Sequence, residues 1–108
     1  GKTTLNLSAV RHLDALYELM MRYPEMEIEL SVHTDSRGDA AENQKISEER
    51  AKNCKTYLLH RGLQEKRIQV FGKGESEIRN RCTDGVPCSE EEHKNNQRIE
   101  IKVKRIGA

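Results

Sequence analysis

The sequence predicts an α+β fold in which two main helices pack on one face of a small mixed β-sheet. Two long stretches repeat apolar residues every three or four positions, which is typical of amphipathic helices. Three shorter stretches alternate apolar and polar residues, which is typical of half-buried strands. The 108 residues leave room for little more than one core. We therefore expect a single domain over residues 1–108, and the lack of an initial Met favours a fragment of a longer protein.

The first two elements are predicted from periodicity. A helix is predicted from Asn6 to Met21, with Asn6 or Ser8 as its cap and Pro24 beyond its end. Residues 26–33 then alternate apolar and polar side chains, which predicts a half-buried strand. The apolar positions of the helix are Leu7, Val10, Leu13, Leu16, Tyr17, Met20 and Met21.

A turn over Ser36-Arg37-Gly38 leads into the second helix, which is predicted to run to about His60. Asp39 and Glu42 have the spacing of a capping box, and Gly62 suits a helix C-terminus. The side chains expected to face inward are Ile46, Ala51, Cys54, Tyr57 and Leu58.

The rest of the chain predicts two strands separated by a polar loop. A short strand is expected over residues 68–71, closed by Gly72-Lys73-Gly74. The loop from Glu75 to Lys94 is rich in turn residues, with a helical turn around residues 89–93. Ile99, Ile101 and Val103 alternate with charged residues in the last strand. The predicted element order is therefore α-β-α-β-β.

The composition excludes several classes of function. Charged residues make up 34% of the chain, but the net charge is only +1, so nothing electrostatic favours nucleic acid as a partner. No apolar run approaches the roughly 20 residues of a transmembrane helix. The chain has no phosphate-binding glycine motif, no recognisable catalytic triad and no zinc-ligand spacing. We therefore expect neither an enzyme, nor a cofactor, nor a bound metal.

The three cysteines differ in their surroundings. Cys82 and Cys88 flank a turn-prone stretch, and we favour a disulfide between them, which would indicate an oxidising compartment. Cys54 falls within the second helix and is expected to be a small buried apolar side chain. The alternatives are three reduced cysteines in a cytosolic protein, or a metal site that uses Cys82, Cys88 and His93.

A charged pair lies where the first strand leads into the second helix. Asn43, Ser47 and Arg50 share one face of that helix, and Asp35 lies on the preceding turn. Arg50 can hold a carboxylate through two hydrogen bonds, and Asp35 can accept hydrogen bonds from an ammonium group. A ligand with both charges suits such a pair. For the two residues alone, a structural salt bridge is the simpler interpretation.

The motif around this pair comprises His33-Thr34-Asp35, Gly38, Asn43, Ile46-Ser47 and Arg50-Ala51. It resembles the peptidoglycan-binding domain of the OmpA family. Further matches follow in order: Tyr57-Leu58, Gly62, Arg67-Ile68, Gly72-Lys73-Gly74-Glu75 and Asn96-Gln97-Arg98-Ile99-Glu100. The resemblance implies a fold like that of the OmpA C-terminal domain, which has another strand before the first helix. Only Gly1 to Leu5 precede the helix here, so we expect that strand to be missing or shortened.

The resemblance also implies a function. It implies a non-catalytic domain of a periplasmic, outer-membrane-associated protein that binds diaminopimelate in a peptidoglycan stem peptide. Asp35 would bind the ammonium group of diaminopimelate and Arg50 its carboxylate. Arg37, where the family often has a small or polar residue, either adds a carboxylate contact or crowds the pocket. The candidate binding residues are Asp35, Arg37, Gly38, Asn43, Ser47, Arg50 and Arg98.

Departures from the family pattern leave a second interpretation open. Gln97 replaces the first Arg of the family's last motif, whereas Arg98 matches the second. Val32 stands where the family usually has Gly, and Arg37 stands where it often has a small or polar residue. A domain with these changes could keep the fold without binding the wall. It would then be a protein–protein interaction module within an envelope complex.

Overall fold

A three-stranded sheet with helices on one face forms the framework of the computed structural model, which describes residues 4–106. The elements in chain order are α1 (Leu7–Arg22), β1 (Glu27–His33), α2 (Ala40–His60), β2 (Ile68–Gly74), α3 (Glu90–Lys94) and β3 (Arg98–Arg105). A short 3₁₀ turn over Glu65–Arg67 precedes β2. The predicted α+β fold with two main helices is therefore confirmed, and no described helix is long and apolar enough to cross a membrane.

The sheet is mixed, with β1 at its centre. β1 runs parallel to β2 on one side and antiparallel to β3 on the other. Ile28, Leu30 and Val32 alternate along β1 and are all buried against the helices. They join a core that also includes Leu13, Leu16 and Met20 of α1 and Ala51, Cys54 and Leu58 of α2. The alternation read from the sequence thus identified the buried face of the central strand.

Each main helix begins at a predicted cap. Asn6, rather than Ser8, caps α1, because its Oδ1 accepts a hydrogen bond from the Ala9 backbone N–H at 2.8 Å. Asp39 caps α2, but it accepts from the backbone N–H of Ala41 at 3.1 Å. That amide is one position earlier than a capping box requires, so the capping box predicted with Glu42 is wrong.

A Schellman motif ends α2 at the predicted glycine. Gly62 has a φ of +109°, a left-handed conformation that glycine adopts without a Cβ penalty. Its N–H donates to Leu59 O at 3.0 Å, and the N–H of Leu63 donates to Leu58 O at 3.2 Å. Leu63 is then buried in the core. The cap therefore turns the chain back towards β2.

In the N-terminal half of α2, the residue that is buried differs from the one predicted. Ala51, Cys54 and Leu58 are buried as expected, and Tyr57 packs on the core while partly exposed. Ile46 is only half-buried and is not part of the core. Ser47 is fully buried instead, since its hydroxyl accepts from Gly74 N at 2.8 Å and donates to Gln44 O at 2.9 Å.

α2 passes over β2 at Gly72 with almost no space between the two backbones. A Cβ placed on Gly72 would lie 2.3 Å from the backbone N and 2.5 Å from the Cα of Glu48. Gln44 Nε2 also donates to Gly72 O at 2.5 Å. Only glycine fits at this crossing, so the helix can approach the strand closely enough to form these bonds.

A buried arginine joins the end of α1 to the start of β2. Arg67 is only 7% exposed and donates to three backbone carbonyls, Met20 O at 2.8 Å, Tyr23 O at 2.7 Å and Met26 O at 2.9 Å. The carbonyls in the last turn of a helix have no partner within the helix, and a buried guanidinium can satisfy several of them. Arg67 therefore fixes the connection between α1 and β1.

The additional strand expected from the resemblance would fall on Gly1 to Leu5. Gly1 to Thr3 lie outside the described residues. Thr4 and Leu5 are not in a strand, and Leu5 packs against the core. In the described part of the chain, β3 is therefore an edge strand.

The crossing at Gly72 predicts that Gly72→Ala lowers the free energy of unfolding by about 1–3 kcal/mol, because the helix must move away from the strand. Urea denaturation followed by circular dichroism measures the change. Gln69→Ala, an exposed position on the same strand, is the control and should shift stability by no more than about 0.5 kcal/mol. Equal stability of Gly72→Ala and the parent would contradict the close crossing.

Candidate functional site

The turn between β1 and α2 is buried and held to the end of β2. Thr34, Asp35 and Ser36 are only 6–7% exposed, although they follow the last residue of the strand. The N–H of Thr34 donates to Gly74 O at 2.8 Å, and its hydroxyl donates to Asp35 O at 2.9 Å. The turn thus presents Asp35 in one fixed conformation.

Four described hydrogen bonds converge on the Asp35 carboxylate. Its Oδ1 accepts from the backbone N–H of Arg37 at 2.8 Å. Its Oδ2 accepts from Nη2 of Arg37 at 2.8 Å, from Nε of Arg37 at 3.3 Å and from the side-chain amide of Gln97. The ion pair described for this carboxylate is therefore with Arg37, two positions along the chain.

These contacts determine the charge state of Asp35. Burial acts to raise the pKa of the carboxyl group, but the hydrogen bonds from Arg37 and Gln97 outweigh burial and lower the pKa to about 2. The carboxylate in turn raises the pKa of the Arg37 guanidinium. At neutral pH the site therefore contains a buried, ionised carboxylate.

Arg37 also links this turn to α3. Its Nη1 lies 2.6 Å from Glu90 Oε2, while Nη2 contacts Asp35. The two roles considered for Arg37 towards a ligand stay predictions, because the carboxylates that it contacts here belong to Asp35 and Glu90. The guanidinium is 44% exposed, so one side of it faces solvent.

Gly38 and Asn43 shape the turn around Asp35. Gly38 has a φ of +84°, so the chain can reverse before α2 without strain. Asn43 Nδ2 donates to Arg37 O at 2.9 Å and lies 3.4 Å from Asp35 O. The two residues therefore come together with Asp35 as predicted, and both hold the turn.

A groove of about 360 Å³ lies beside this turn, between α1, α2 and the start of β3. Its lining includes two arginines, Arg50 and Arg98, and two histidines, His12 and His33, and none of the described lining residues is an Asp or Glu. Gln97 also lines the groove, whereas Asp35 does not. The groove is therefore cationic, and Gln97 lies between it and the buried carboxylate.

The two groove arginines are held differently. Arg50 is half-buried on α2. Arg98 has a side chain only 13% exposed, and it donates to Glu100 Oε2 at 2.7 Å, to Glu77 O at 3.0 Å and to Asn96 O at 3.1 Å. Arg98 is thus a fixed part of the groove wall rather than a solvated charge at the sheet edge.

Ser47 lies away from the groove. Its hydroxyl is buried between α2 and β2, where it joins the backbones of Gln44 and Gly74. Ser47 shares one helical face with Asn43 and Arg50, but its surroundings differ from theirs.

The predicted disulfide between Cys82 and Cys88 is confirmed, with Cα atoms 6.1 Å apart. Ser36 Oγ donates to Cys82 O at 2.5 Å, so the bridged loop rests directly on the turn that holds Asp35. Both sulfurs lie within 4.8 Å of a Glu92 carboxylate oxygen, but disulfide sulfurs are not the thiolates that metal binding requires. Cys54 is buried, and burial raises its pKa to about 11, as expected for an unreactive side chain.

Sequence reasoning missed two residues of this site. In the sequence, Gln97 stands out only as a departure from a family motif, and Glu90 only as one of three consecutive glutamates. No local pattern could have identified them, because Gln97 lies 62 positions from Asp35 and Glu90 lies 53 positions from Arg37. The Arg37 contact had a local signal, since an Asp side chain often bonds the backbone N–H two residues on.

The lowered pKa of Asp35 predicts a specific acid sensitivity. The folded-state pKa of Asp35 is about 2, below its usual value of 3.8. The ionised carboxylate therefore stabilises the fold at pH values above 3.8. That contribution is lost as the pH falls towards the folded-state value. Between about pH 5 and pH 2 the parent should therefore lose roughly 2 kcal/mol more unfolding free energy than Asp35→Asn does. Urea titrations at each pH measure this, and parallel pH profiles would contradict it.

Because Ser36 bonds to the bridged loop, we expect loss of the disulfide to change the conformation of the turn that holds Asp35. The Cys82→Ser/Cys88→Ser variant should lose about 2 kcal/mol of unfolding free energy, and its amide NMR shifts at Ser36 and Arg37 should change. Reductant should reproduce both effects in the parent and have none on the variant. Unchanged shifts at the turn would show that the loop and the turn are independent.

Comparisons with known proteins agree with this fold. A family model described as the OmpA family matches residues 1–101. Outer membrane protein A of Bordetella avium is 32% identical over 105 residues, which is 94% of this chain and 50% of that protein. The photosystem I P700 chlorophyll a apoprotein A2 of Gloeobacter violaceus is also 32% identical over 105 residues, covering 95% of this chain and 12% of that protein. The chain thus spans at most half the length of these relatives.

Solved structures share the architecture over nearly the whole chain. A putative MotB-like protein from Desulfovibrio vulgaris is 28% identical with a TM-score of 0.80, covering 98% of this chain and 65% of that one. The peptidoglycan-associated lipoprotein of Burkholderia pseudomallei is 16% identical with a TM-score of 0.78, covering 94% and 82%. The cell wall anchor of the type VI secretion system of Pseudomonas aeruginosa is 20% identical with a TM-score of 0.72, covering 94% and 69%. The last two show a likeness of fold alone. Because the family model covers almost the entire sequence, this protein belongs to the OmpA family.

Proposed function

We propose that this domain binds peptidoglycan non-covalently by holding the diaminopimelate of a stem peptide. The observation that carries the proposal is a buried, ionised Asp35 beside a groove that contains Arg50 and Arg98. The free end of diaminopimelate carries an ammonium group and a carboxylate on one carbon. Such a zwitterion matches one fixed negative charge next to fixed positive charges. The domain would anchor an outer-membrane protein or envelope complex to the wall from the periplasm, without catalysis.

The residues divide into contacts and supports. Asp35 would accept hydrogen bonds from the ammonium group, and Arg50 would bind the carboxylate, since a guanidinium can pair with a carboxylate through two parallel bonds. Arg98 would border the remainder of the stem peptide from its fixed position. Asn43, Gly38 and Arg37 would hold the turn in shape.

The comparisons support a role at the wall. Among the proteins of similar fold, one is named a peptidoglycan-associated lipoprotein and another a cell wall anchor. A relative that covers nearly the whole chain is named an outer membrane protein. A weakly binding domain suffices for an anchor of this kind, because the wall presents many identical stems at high local concentration.

One observation favours the second candidate, an interaction module within an envelope complex. Arg37 and Gln97 already donate to Asp35, so the carboxylate is satisfied within the protein itself. A domain that used Asp35 only to brace its own turn would keep the fold and bind a partner protein elsewhere. Binding of a defined wall fragment separates the two candidates.

We expect calorimetric titration with a diaminopimelate muropeptide to give binding that Asp35→Asn and Arg50→Ala each weaken about 10- to 100-fold, the value of a charged hydrogen bond. The matching lysine muropeptide lacks the carboxylate and should bind the parent correspondingly less well. Lys52→Ala, an exposed cation two positions from Arg50, is the matched control and should bind like the parent.

All variants must first show the parent's circular dichroism spectrum. Folded Asp35→Asn and Arg50→Ala proteins that bind as tightly as the parent would refute the assigned site. A folded parent that binds neither muropeptide would refute wall binding and favour the interaction module.

A further inference from the structure

We propose that Gln97 is an exchangeable donor that occupies the ligand's place on Asp35, and that an incoming ammonium group replaces its amide while Arg37 stays bound. The inference rests on the proposed function, because it concerns how a cationic group reaches the same carboxylate. Gln97 would then affect the affinity for the ligand without contacting the ligand's ammonium or carboxylate group.

The donors on Asp35 are of two kinds. Three belong to Arg37, namely its backbone N–H, Nε and Nη2, and these sit in the same turn as the carboxylate. Arg37 is held further by Glu90, and Asn43 donates to its carbonyl oxygen. The fourth donor is the neutral amide of Gln97, which reaches Asp35 from the beginning of the last strand. Arg37 is thus tied in place by several contacts.

The strengths of these bonds decide which donor gives way. A hydrogen bond from a guanidinium to a carboxylate is charge-assisted and about twice as strong as one from a neutral group. Arg37 makes two such bonds to Asp35. Its departure would also break its ion pair with Glu90 and remove a support of the turn. Replacing the Gln97 amide by an ammonium exchanges a neutral donor for a charged one. Exchange at Gln97 is therefore the favourable route.

The position of Gln97 supports the same assignment. It lines the groove with Arg50 and Arg98, whereas Asp35 is buried and does not line the groove. Gln97 is also exposed, so its side chain has room to turn into solvent. Movement of this one side chain would connect the carboxylate to the cationic groove. An ammonium at the vacated position would then place its neighbouring carboxylate towards the arginines.

The test is calorimetric titration of the diaminopimelate muropeptide into the parent and Gln97→Ala. Removal of the competing amide should tighten binding about 2- to 10-fold, the value of a neutral hydrogen bond. Gln69→Ala, an exposed glutamine on β2, is the matched control and should leave affinity unchanged.

A second measurement follows the exchange directly. In NMR spectra of the parent, the Gln97 side-chain amide should shift towards solvent-exposed values at saturation with muropeptide, while the Arg37 Nε–H signal persists. Without ligand, Gln97→Ala should raise the pKa of Asp35, because one bond to the carboxylate is lost.

The outcomes separate this inference from the proposed function. A parent that binds the muropeptide while Gln97→Ala binds more weakly or equally overturns the exchange and leaves wall binding intact. A Gln97 amide that remains bonded in the complex does the same. A folded parent that does not bind the muropeptide overturns both.

Discussion

The close crossing of α2 over β2 is the constraint on which the rest of the site depends. Gly72 has no side chain to separate the two backbones, and Gln44 and Ser47 bond the helix to the strand at that point. The same strand ends at Gly74, whose carbonyl holds Thr34 in the turn before Asp35. The crossing therefore positions the helix that carries Arg50 and the turn that carries Asp35 relative to one another.

Asp35 combines deep burial with full ionisation, which is costly for an isolated carboxylate. The cost is offset by donors from one adjacent residue and one distant residue. The arrangement keeps a negative charge next to a groove that otherwise contains only cationic or neutral lining residues in the described part of the chain. Under the proposed function, a site of this design would favour ligands with separated opposite charges over simple cations or anions.

Much of the fold could be predicted because its signals are local. The alternation in β1, the caps Asn6 and Asp39 and the glycine at 62 each act within a few residues, and the structure confirms them. The sequence predicted that Ile46 would be buried on α2, but Ser47 is buried instead. This was not predictable, because it depends on where β2 passes the helix. The convergence of Gly38 and Asn43 on Asp35 followed from the motif. Arg67 and Gln97 make contacts across 41 to 62 positions of sequence, which periodicity cannot reveal.

The central position of β1 has a mechanical consequence. Asp35 lies two residues beyond the end of this strand, which is bonded to β2 on one side and to β3 on the other. In a domain tethered to a wall, tension applied at Asp35 would pull β1 along its own axis. Both ladders would then be loaded in shear, so that many hydrogen bonds resist together instead of opening one after another. In the proposed wall anchor, the placement of the charged turn at the end of the middle strand, rather than at an edge, would therefore help the domain to hold under load.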